Sequence, residues 1–596
     1  MSKPNIRILQ VKASGIKSCS TNPKENIFHP TIQRVQGSFI TKRLELVNQK
    51  GKKIVAYLDS PQNLSHPLGV VLIPPAYGES KENNLIISAY FAANGFHGLR
   101  FDWTDHSGES EGDIFNCTLS EMRDDLHGLL DHLRREYPSK RIGIVASSLA
   151  ARVALKLAAC NAGPDFLICF APVVNLQYTL KTVYREDLVA NFSSGKRYRT
   201  LDILGFSIDA DGFLGDAVHG IFSDLLSSIV DASKVKVPTL FLVSDRDPWI
   251  QISDAHSVFQ MINVPEKRCL PIPMALHRLM ENRLASRNAL KEAVGFLLSE
   301  VCGRDVIEDD LNEPLAEAVY KREKDEKAHL RRAYLFSRGE EQEFWKKYLC
   351  NFQYIINIQD YWNLLELIYD LLGGVWPGQK VLDAGCGNCD YGLFLLSKQM
   401  YKARQNLQYL SMPTPSYYGL DFVSDAVAEG YRRISDLQGE FRKKIGLASR
   451  RSGFLDTRLI LSDLEEGVPF PDNFFDQVCC SLVISYLEHP GKVLRELCRV
   501  LNPSGKIIIS SLKPDYDLSE IYRNFVSVAD SEDQIEKARK LLSNAATIRL
   551  KGLNGFYQFY AEKELKQLAR EAGLSRIKVF RSFGNQANLI VARKKQ

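Results

Sequence analysis

A strongly charged segment divides this chain into two stretches that share one kind of pattern. The segment runs from Arg304 to Arg332, and opposite charges four residues apart predict that part of it is helical. On both sides, short apolar runs alternate with amphipathic segments, as in α/β domains whose parallel sheet is covered on both faces. Single cores stop growing near roughly 250–300 residues, so a chain of 596 residues predicts two domains.

The predicted division follows that charged segment. It gives an N-terminal extension (1–35), a first α/β domain (36–303), a charged, partly helical linker (304–340) and a second α/β domain (341–596). The charged segment can equally be read as the helical entry to the second domain. The two halves share no motif and no fixed-period repeat, which indicates a fusion of unlike units.

Charge and composition exclude several classes of partner. A net charge of +5 over this length is close to balance and gives no basic footprint, so no nucleic-acid partner is expected. The N-terminus lacks a signal-peptide core, and no run approaches the ~18 apolar residues of a membrane helix. We therefore expect a cytoplasmic chain without a membrane span, whose oligomeric state the sequence does not specify.

The first half contains a serine in a turn between a strand and a helix. Predicted strands cover residues 42–58 (a hairpin), 69–75, 96–102, 141–147, 165–171 and 238–245. After the strand RIGIVAS, the segment Ala146-Ser147-Ser148-Leu149-Ala150 leads into a helix. A nucleophile elbow needs small residues two before and two after its serine, and Ala146 and Ala150 meet that need for Ser148. An ordinary turn with a serine helix cap is the alternative interpretation.

An acid and a histidine follow this serine in the order that α/β hydrolases use. Asp245 and Asp247 come directly after the strand PTLFLVS, and His277 lies in a loop thirty residues later. Either acid can instead start a turn, and a single histidine in a loop is unremarkable. The order Ser, Asp, His, with each after a strand, favours a catalytic triad.

Residues 40–300 resemble the α/β-hydrolase superfamily, and within it the acyl-transferases, or acyl-carrier-protein thioesterases, of bacterial bioluminescence. The segments IGIVASSLAARVAL, NGFHGLRFDWTDHSGESEG, PVVNLQYTL, SDRDPW and ALHRLMEN carry this resemblance. It implies Ser148 as nucleophile, Asp247 as orienting acid and His277 as general base, with Ser147 and Asp245 as second choices.

The same resemblance implies an oxyanion site and an acyl substrate. Oxyanion donors would be the backbone N–H of Leu149 and that of Tyr77 or Ala76, although Pro74 and Pro75 remove two donors from that loop. Residues 177–235 are long enough for a lid. The implied substrate is a small molecule or an acyl group linked to a carrier protein or coenzyme A.

The second half begins with a glycine-rich turn after a strand. In VLDAGCGNCDYG, Gly385 and Gly387 allow the backbone to approach a ligand, while Asp390 stands where a dinucleotide fingerprint has its third glycine. Asp421 ends a second strand, Asp463 follows a third, and Tyr486 lies near the end of a fourth. A helix, a Pro-Ser-Gly turn and a fifth strand complete the series. Cys386 and Cys389 have no second pair or histidine cluster nearby, so no metal site is expected.

This series resembles the class I S-adenosylmethionine-dependent methyltransferases, with a Rossmann-like fold, over roughly residues 345–593. The resemblance implies S-adenosylmethionine as cofactor. Its implied contacts are Asp383, Gly385, Cys386 and Gly387 around the methionine part, Asp421 at the ribose, and Asp463 with Leu464 at the adenine. Cys389 stands where the family commonly has another glycine. The acceptor pocket is poorly marked: Tyr486, His489, Tyr557 and Tyr560 are candidates, and residues 516–550 form a candidate lid.

Together these features predict a bifunctional enzyme. Its first part would be a serine acyl hydrolase or acyltransferase, and its second a methyltransferase acting on a small metabolite, fatty-acyl or polyketide-like in character. The alternative is a methyltransferase whose hydrolase-like part only binds substrate.

Overall fold

The computed structural model describes residues 38–62, 66–306, 311–333, 338–352, 358–444, 454–529 and 531–595. The predicted N-terminal extension, residues 1–35, lies outside them. Within the described residues, no helix is long and apolar enough to cross a membrane.

The first half forms one eight-stranded sheet and a two-stranded hairpin. The strands are β1 (Phe39–Val47), β2 (Lys53–Pro61), β3 (Gly69–Ile73), β4 (His97–Phe101), β5 (Arg141–Ser147), β6 (Leu167–Phe170), β7 (Thr200–Ile203), β8 (Phe206–Asp209), β9 (Thr239–Ser244) and β10 (Lys267–Ile272). The helices are α1 (Leu85–Ala93), α2 (Leu119–Glu136), α3 (Leu149–Ala158), α4 (Leu176–Tyr184), α5 (Leu188–Ser193), α6 (Ala210–His219), α7 (Leu225–Ala232), α8 (Ile252–Met261) and α9 (Arg283–Phe296).

The large sheet has the order β1-β2-β4-β3-β5-β6-β9-β10. The six strands from β4 to β10 in that order pair in parallel, and β1 and β2 add an antiparallel hairpin at one edge. This confirms the expected α/β-hydrolase class. Helices α4 to α7 and the β7–β8 hairpin fill the interval between β6 and β9, where the sequence predicts a lid.

The second half forms a seven-stranded sheet. Its strands are β11 (Lys380–Ala384), β12 (Ser416–Asp421), β13 (Asp456–Leu461), β14 (Phe475–Cys480), β15 (Leu501–Leu512), β16 (Leu574–Ser582) and β17 (Ala587–Lys594). Its helices, with those of the charged segment, are α10 (Ala316–Ala333), α11 (Arg338–Phe352), α12 (Gln359–Leu372), α13 (Asp390–Gln405), α14 (Ser424–Lys444), α15 (Pro490–Val500), α16 (Ser519–Val528), α17 (Glu532–Leu553) and α18 (Glu562–Glu571).

The order of this sheet is β13-β12-β11-β14-β15-β17-β16. The first five strands are parallel and are those that the sequence predicts, while β16 and β17 add an antiparallel edge. The strand order reverses between β11 and β14. In open α/β sheets ligands bind outside the carboxyl ends of the strands at such a reversal, which is where the glycine-rich turn lies.

One local expectation is wrong. The predicted Pro-Ser-Gly turn before the fifth strand is part of β15, which starts at Leu501. Pairing with β14 jumps from Phe475 with Leu501 to Gln477 with Lys506. β15 has three more residues than β14 between these two pairs, so the pairing is irregular there although the strand continues.

The charged segment is docked on the first half. Helix α10 contacts α1, and Glu326 of α10 is buried against Arg100 of β4, with an Nη1 to Oε2 distance of 2.9 Å. Arg100 also binds Asp59 of β2 through Nε at 2.7 Å. A buried charge is tolerated when it is paired in this way, so the Glu326 part of α10 packs against the first half.

Helices α16 and α17 lie between the two sheets. They follow β15 in the second half, yet the Tyr522 hydroxyl donates to the Val183 carbonyl of α4 at 2.6 Å. Buried apolar side chains from both halves belong to one contiguous cluster. The two halves are consequently packed together through a shared apolar interior.

Candidate active sites

Ser148 occupies a strained turn between β5 and α3. Its backbone has φ 55° and ψ −129°, a conformation that residues with a side chain rarely adopt. The Ser148 amide donates to the Phe170 carbonyl at 3.0 Å, and the Ser148 carbonyl accepts from the Val173 amide at 3.1 Å. Ala146 and Ala150 are fully buried beside it. The small residues therefore stand where the elbow geometry needs them.

Ser148, His277 and Asp247 form a continuous hydrogen-bonded chain. Ser148 Oγ lies 2.8 Å from His277 Nε2, and His277 Nδ1 lies 2.6 Å from Asp247 Oδ2. Asp247 Oδ1 accepts from the backbone amides of Trp249 at 2.8 Å and Ile250 at 3.3 Å, which fixes the carboxylate.

The electrostatics of this chain suit a base that receives a proton. Burial lowers the pKa of the His277 imidazole, but the charge and hydrogen bond of Asp247 outweigh burial, so its pKa lies above 6.5. Of the second choices, Asp245 is exposed, and it is Asp247 that contacts the imidazole. Ser147 ends β5, and it is Ser148 that contacts His277.

Two stretches of backbone line the cavity at the serine, one at Leu149 and one at Ala76 and Tyr77. Leu149 is the first residue of α3, where amides have no acceptor within the helix. In the turn after β3, the Gly78 amide donates to His106 Nε2 at 3.1 Å and the Glu79 amide donates to the Ala76 carbonyl at 3.0 Å. Of that turn, the Tyr77 and Ala76 amides remain as the candidate oxyanion donors.

A cavity of about 220 Å³ opens at Ser148 and His277. We call it the serine cavity. Most of its wall is apolar and comes from the first half: Leu149, Phe170, Leu176, Leu180, Val183, Tyr184, Phe206, Phe213 and Trp249. The remaining apolar wall comes from the second half: Leu518, Leu542, Ala545, Ala546, Leu550 and Leu553.

Polar contacts hold this second-half wall against the serine cavity. Glu79 pairs with Arg549 of α17 at 2.8 Å, and the Arg278 amide, next to His277, donates to Asp517 Oδ2 at 3.2 Å. The predicted lid over residues 516–550 therefore covers the serine cavity as well as its own half. Sequence reasoning missed this role, because local periodicity does not indicate which distant surface a helix covers.

The glycine-rich turn after β11 packs tightly. Gly385 has φ +77°, and a Cβ there would lie 2.5 Å from Val483 Cγ2. Cys389 is buried with φ 61°, so it adopts the left-handed backbone that explains why glycine is favoured at that position. Cys386 Sγ lies 3.6 Å from Cys389 Sγ. In the described part of the chain, no three His, Cys, Asp or Glu side chains are grouped as a metal site requires.

All seven residues of the predicted cofactor set line one cavity of about 560 Å³, which we call the glycine-loop cavity. The Gly387 amide donates to Asp421 Oδ2 at 2.8 Å, so the turn and β12 are tied together. Burial raises the pKa of Asp383 to about 7, with Asp421 and Asp390 adding to the rise against a hydrogen bond from Tyr417. Burial also raises the pKa of Asp421, although backbone amides oppose it.

Aromatic side chains form the other side of the glycine-loop cavity. Trp345, Tyr348 and Phe352 of α11 face it, and the Trp345 ring lies 4.7 Å from that of Tyr486. Their spacing of three and four residues puts them on one face of a helix. This spacing is visible in the sequence and indicates an aromatic helix face. His489 reaches the edge of the cavity with a mostly exposed side chain.

Two of the residues predicted for the acceptor pocket do not line the glycine-loop cavity. Tyr557 and Tyr560 are buried but are not among the residues lining the cavity. The Tyr557 hydroxyl donates to Glu341 Oε2 at 2.5 Å, and the Tyr560 amide donates to Ser511 Oγ at 3.2 Å. Glu341 of α11 does line the cavity, and sequence reasoning did not select it.

Comparison with known proteins assigns each half separately. Residues 47–325 match the family described as acyl transferase, and residues 377–573 match the family described as methyltransferase domain. The chain carries an acyl transferase domain followed by a methyltransferase domain. Both resemblances read from the sequence are thereby confirmed.

Curated relatives match the acyl transferase domain. The acyl transferase of Photobacterium phosphoreum is 27% identical over 252 residues, which are 42% of this chain and 81% of that protein. The acyl transferase of Photorhabdus laumondii is 27% identical over 267 residues, covering 44% of this chain and 85% of that protein.

Solved structures match the same half. Est1E from Butyrivibrio proteoclasticus, with ferulic acid bound, is 18% identical with a TM-score of 0.38 and covers 44% of this chain and 100% of its own. An esterase of Pyrococcus furiosus is 18% identical with a TM-score of 0.33, covering 46% and 98%.

Proposed function

We propose that this fused acyltransferase and methyltransferase takes an acyl group from a thioester through Ser148. Its second domain then methylates a small, largely apolar metabolite with S-adenosylmethionine. The observation that carries the first activity is the Ser148–His277–Asp247 chain opening into an apolar cavity. A domain that only bound substrate would need neither this hydrogen-bonded chain nor the strained backbone that presents the serine.

The acyl step uses the serine as a nucleophile. Ser148 Oγ attacks the acyl carbonyl carbon while His277 Nε2 takes the hydroxyl proton, and Asp247 holds the imidazole and stabilises its charged form. The amides of Leu149 and Tyr77 stabilise the oxyanion. His277 returns the proton to the departing thiolate, which leaves an ester on Ser148. Water or an alcohol then attacks that ester and gives its proton to His277. The bond between the acyl carbon and Ser148 Oγ breaks, His277 returns the proton to Oγ, and the acid or new ester is released.

The residues of the glycine-loop cavity fit S-adenosylmethionine. When bound, this cofactor supplies an electrophilic methyl group. Gly385 and Val483 both line the cavity, and a Cβ at position 385 would lie 2.5 Å from Val483 Cγ2, so this close packing requires glycine. The Asp383 carboxylate favours the ammonium and sulfonium of this ligand, and aromatic faces such as that of Trp345 attract cations. Asp421 and Asp463 would accept hydrogen bonds from its ribose and its adenine.

The chain's part in methyl transfer is to hold the acceptor. Transfer needs an acceptor atom that is close, aligned and shielded from water. The aromatic wall of Trp345, Tyr348 and Tyr486 excludes water, and it favours a substrate with a large apolar part. His489, at the edge of the cavity, would take up the proton that the acceptor loses.

Release of thiol from acyl-pantetheine thioesters tests the acyl step. We expect the full chain to release thiol, Ser148→Ala to fall to the background rate, and Ser147→Ala to retain most of the rate as a matched control. Turnover by Ser148→Ala would overturn the assignment of Ser148 as nucleophile, whereas no thiol release by the wild-type chain would favour the alternative of a substrate-binding module.

Comparison of metabolites tests the methylation step. Mass spectrometry of cells that express the wild-type chain should show a compound heavier by one methylene than its precursor. That compound should disappear with Asp421→Ala, because the ribose contact is lost. Its persistence with Asp421→Ala would contradict the proposed cofactor site.

A further inference from the structure

The serine cavity and the glycine-loop cavity share a wall. Leu518 and Leu542 each line both cavities. Leu518 directly precedes α16, and Leu542 lies in the middle of α17. At each of these two points, therefore, a single leucine side chain separates the cavities.

Around Leu542 the shared wall is apolar on both sides, whereas Asp517 and Ser519 flank Leu518 on the side of the serine cavity. Ala545 and Ala546 continue it in the serine cavity. Ile521, Phe525 and Leu541 continue it in the glycine-loop cavity. An apolar chain can pass such a wall when leucine side chains change rotamer, whereas a charged group would lose its hydration without a partner. The wall therefore selects a hydrocarbon.

The volumes of the two cavities also favour passage of a hydrocarbon from one to the other. The serine cavity, at about 220 Å³, is smaller than the roughly 300–1,000 Å³ of pockets that enclose drug-sized ligands. The neighbouring glycine-loop cavity offers about 560 Å³, and aromatic and aliphatic side chains contribute much of its lining. A long acyl chain has its free space beyond Leu518 and Leu542.

We propose that a long acyl chain with its carbonyl at Ser148 passes between Leu518 and Leu542 and ends in the glycine-loop cavity, so that one acyl substrate occupies both sites. This rests on the proposed acylation of Ser148. The acyl chain itself is then the molecule held in the methyltransferase cavity, and the methyltransferase domain sets the chain length that the acyl transferase domain accepts.

The test uses a bulky residue placed on the far side of the wall. Leu541 lines the glycine-loop cavity and not the serine cavity. The full chain and its Leu541→Trp variant are compared on p-nitrophenyl esters from butanoyl to hexadecanoyl. We expect kcat/KM for hexadecanoyl to fall at least about tenfold more than kcat/KM for butanoyl, because the indole fills space that only a long chain reaches. Leu542→Trp should give the same selective loss.

Val528→Trp is the matched control. Val528 is an exposed residue at the end of α16 and lines neither cavity. Its variant should keep the wild-type profile of chain lengths. A second control, Ile548→Ala, truncates a buried residue of α17 outside both cavities and should keep that profile, whereas Leu542→Ala should move it toward longer chains.

The outcomes separate the two proposals. If the wild-type chain hydrolyses no ester, the acyl function itself fails. If the wild-type chain hydrolyses butanoyl and hexadecanoyl esters, but Leu541→Trp lowers both equally or neither, the acyl function stands and the continuous path is overturned.

Discussion

Ser148 combines a reactive position with an unfavourable backbone. A non-glycine residue at φ 55° and ψ −129° costs of order 1–3 kcal/mol, and this cost is offset by the hydrogen bonds that its amide and carbonyl make with the segment around β6. The strain holds Oγ at 2.8 Å from His277 Nε2. The conformation that presents the Ser148 hydroxyl thus lowers the free energy of unfolding of the chain.

The pH dependence of acyl turnover follows from His277. The pKa of this imidazole is raised above 6.5 in the folded chain, and only its neutral form accepts the serine proton. We expect kcat/KM to fall with acid through a pKa above 6.5. Asp247→Asn should move this acid limb to lower pH and reduce kcat about 10⁴-fold, since the orienting charge is lost. A pH profile that Asp247→Asn leaves in place would contradict the assigned role.

Asp383 should make cofactor binding depend on pH. Its pKa of about 7 is raised by burial, and a cationic ligand favours the ionised carboxylate. Affinity for S-adenosylmethionine should therefore be steady at higher pH and weaken by about tenfold for each pH unit below that value. Calorimetric titration at several pH values checks this. Asp383→Asn should bind more weakly at high pH with a flatter profile, and an unchanged slope would contradict the assignment.

Site residues could be predicted from the sequence where a local motif specifies the residues around them. The elbow around Ser148 and the glycine turn are local, so their small residues and spacing indicated them. The positions of Tyr557 and Tyr560 were not readable, because burial and contact with Glu341 or Ser511 depend on distant elements.

The glycine turn between β11 and α13 depends both on a left-handed backbone conformation at Gly385 and on the absence of a side chain there. Gly385→Ala would place a Cβ at φ +77° within 2.5 Å of Val483, so we expect markedly weaker S-adenosylmethionine binding by calorimetry. Gly439→Ala in α14 is the matched control, since a Cβ there meets nothing within 4 Å and alanine favours a helix. Equal binding by the two variants would show that the turn does not contact the cofactor.

Strands were predicted better than the helices that cover the sites. The buried parallel strands are apolar runs with a clear signal, whereas β10, which is mostly not buried, has the mixed composition KRCLPI. Helices α16 and α17 gave an ordinary amphipathic pattern. What they cover is decided by contacts such as Glu79 with Arg549, which join residues far apart in the sequence.

At the scale of the whole molecule, the two domains are joined by buried charges as well as by apolar contacts. Lys513 of the methyltransferase domain pairs with Glu281 of the acyl transferase domain at 2.6 Å, and both side chains are only 7% exposed. Gln586 also donates to Glu281, at 3.1 Å. Such a pair fixes how the domains dock, because removing one partner leaves an uncompensated buried charge.

Glu281→Gln should accordingly weaken the docking. We expect a loss of stability of about 3–5 kcal/mol, seen in calorimetry as a lower Tm or as separation of one unfolding transition into two. The double variant Glu281→Leu with Lys513→Met should recover much of this loss, since no charge is left unpaired. A double variant less stable than Glu281→Gln would contradict this reading of the pair.

Native mass spectrometry of the intact chain shows whether one molecule holds two working sites. The intact chain is incubated with octyl fluorophosphonate and S-adenosylmethionine. The main species should carry one covalent phosphonate and one cofactor; Ser148→Ala should carry only the cofactor, and Asp421→Ala only the phosphonate. A wild-type chain that lacks either ligand would contradict the presence of two working sites, and a phosphonate that persists in Ser148→Ala would contradict Ser148 as the nucleophile.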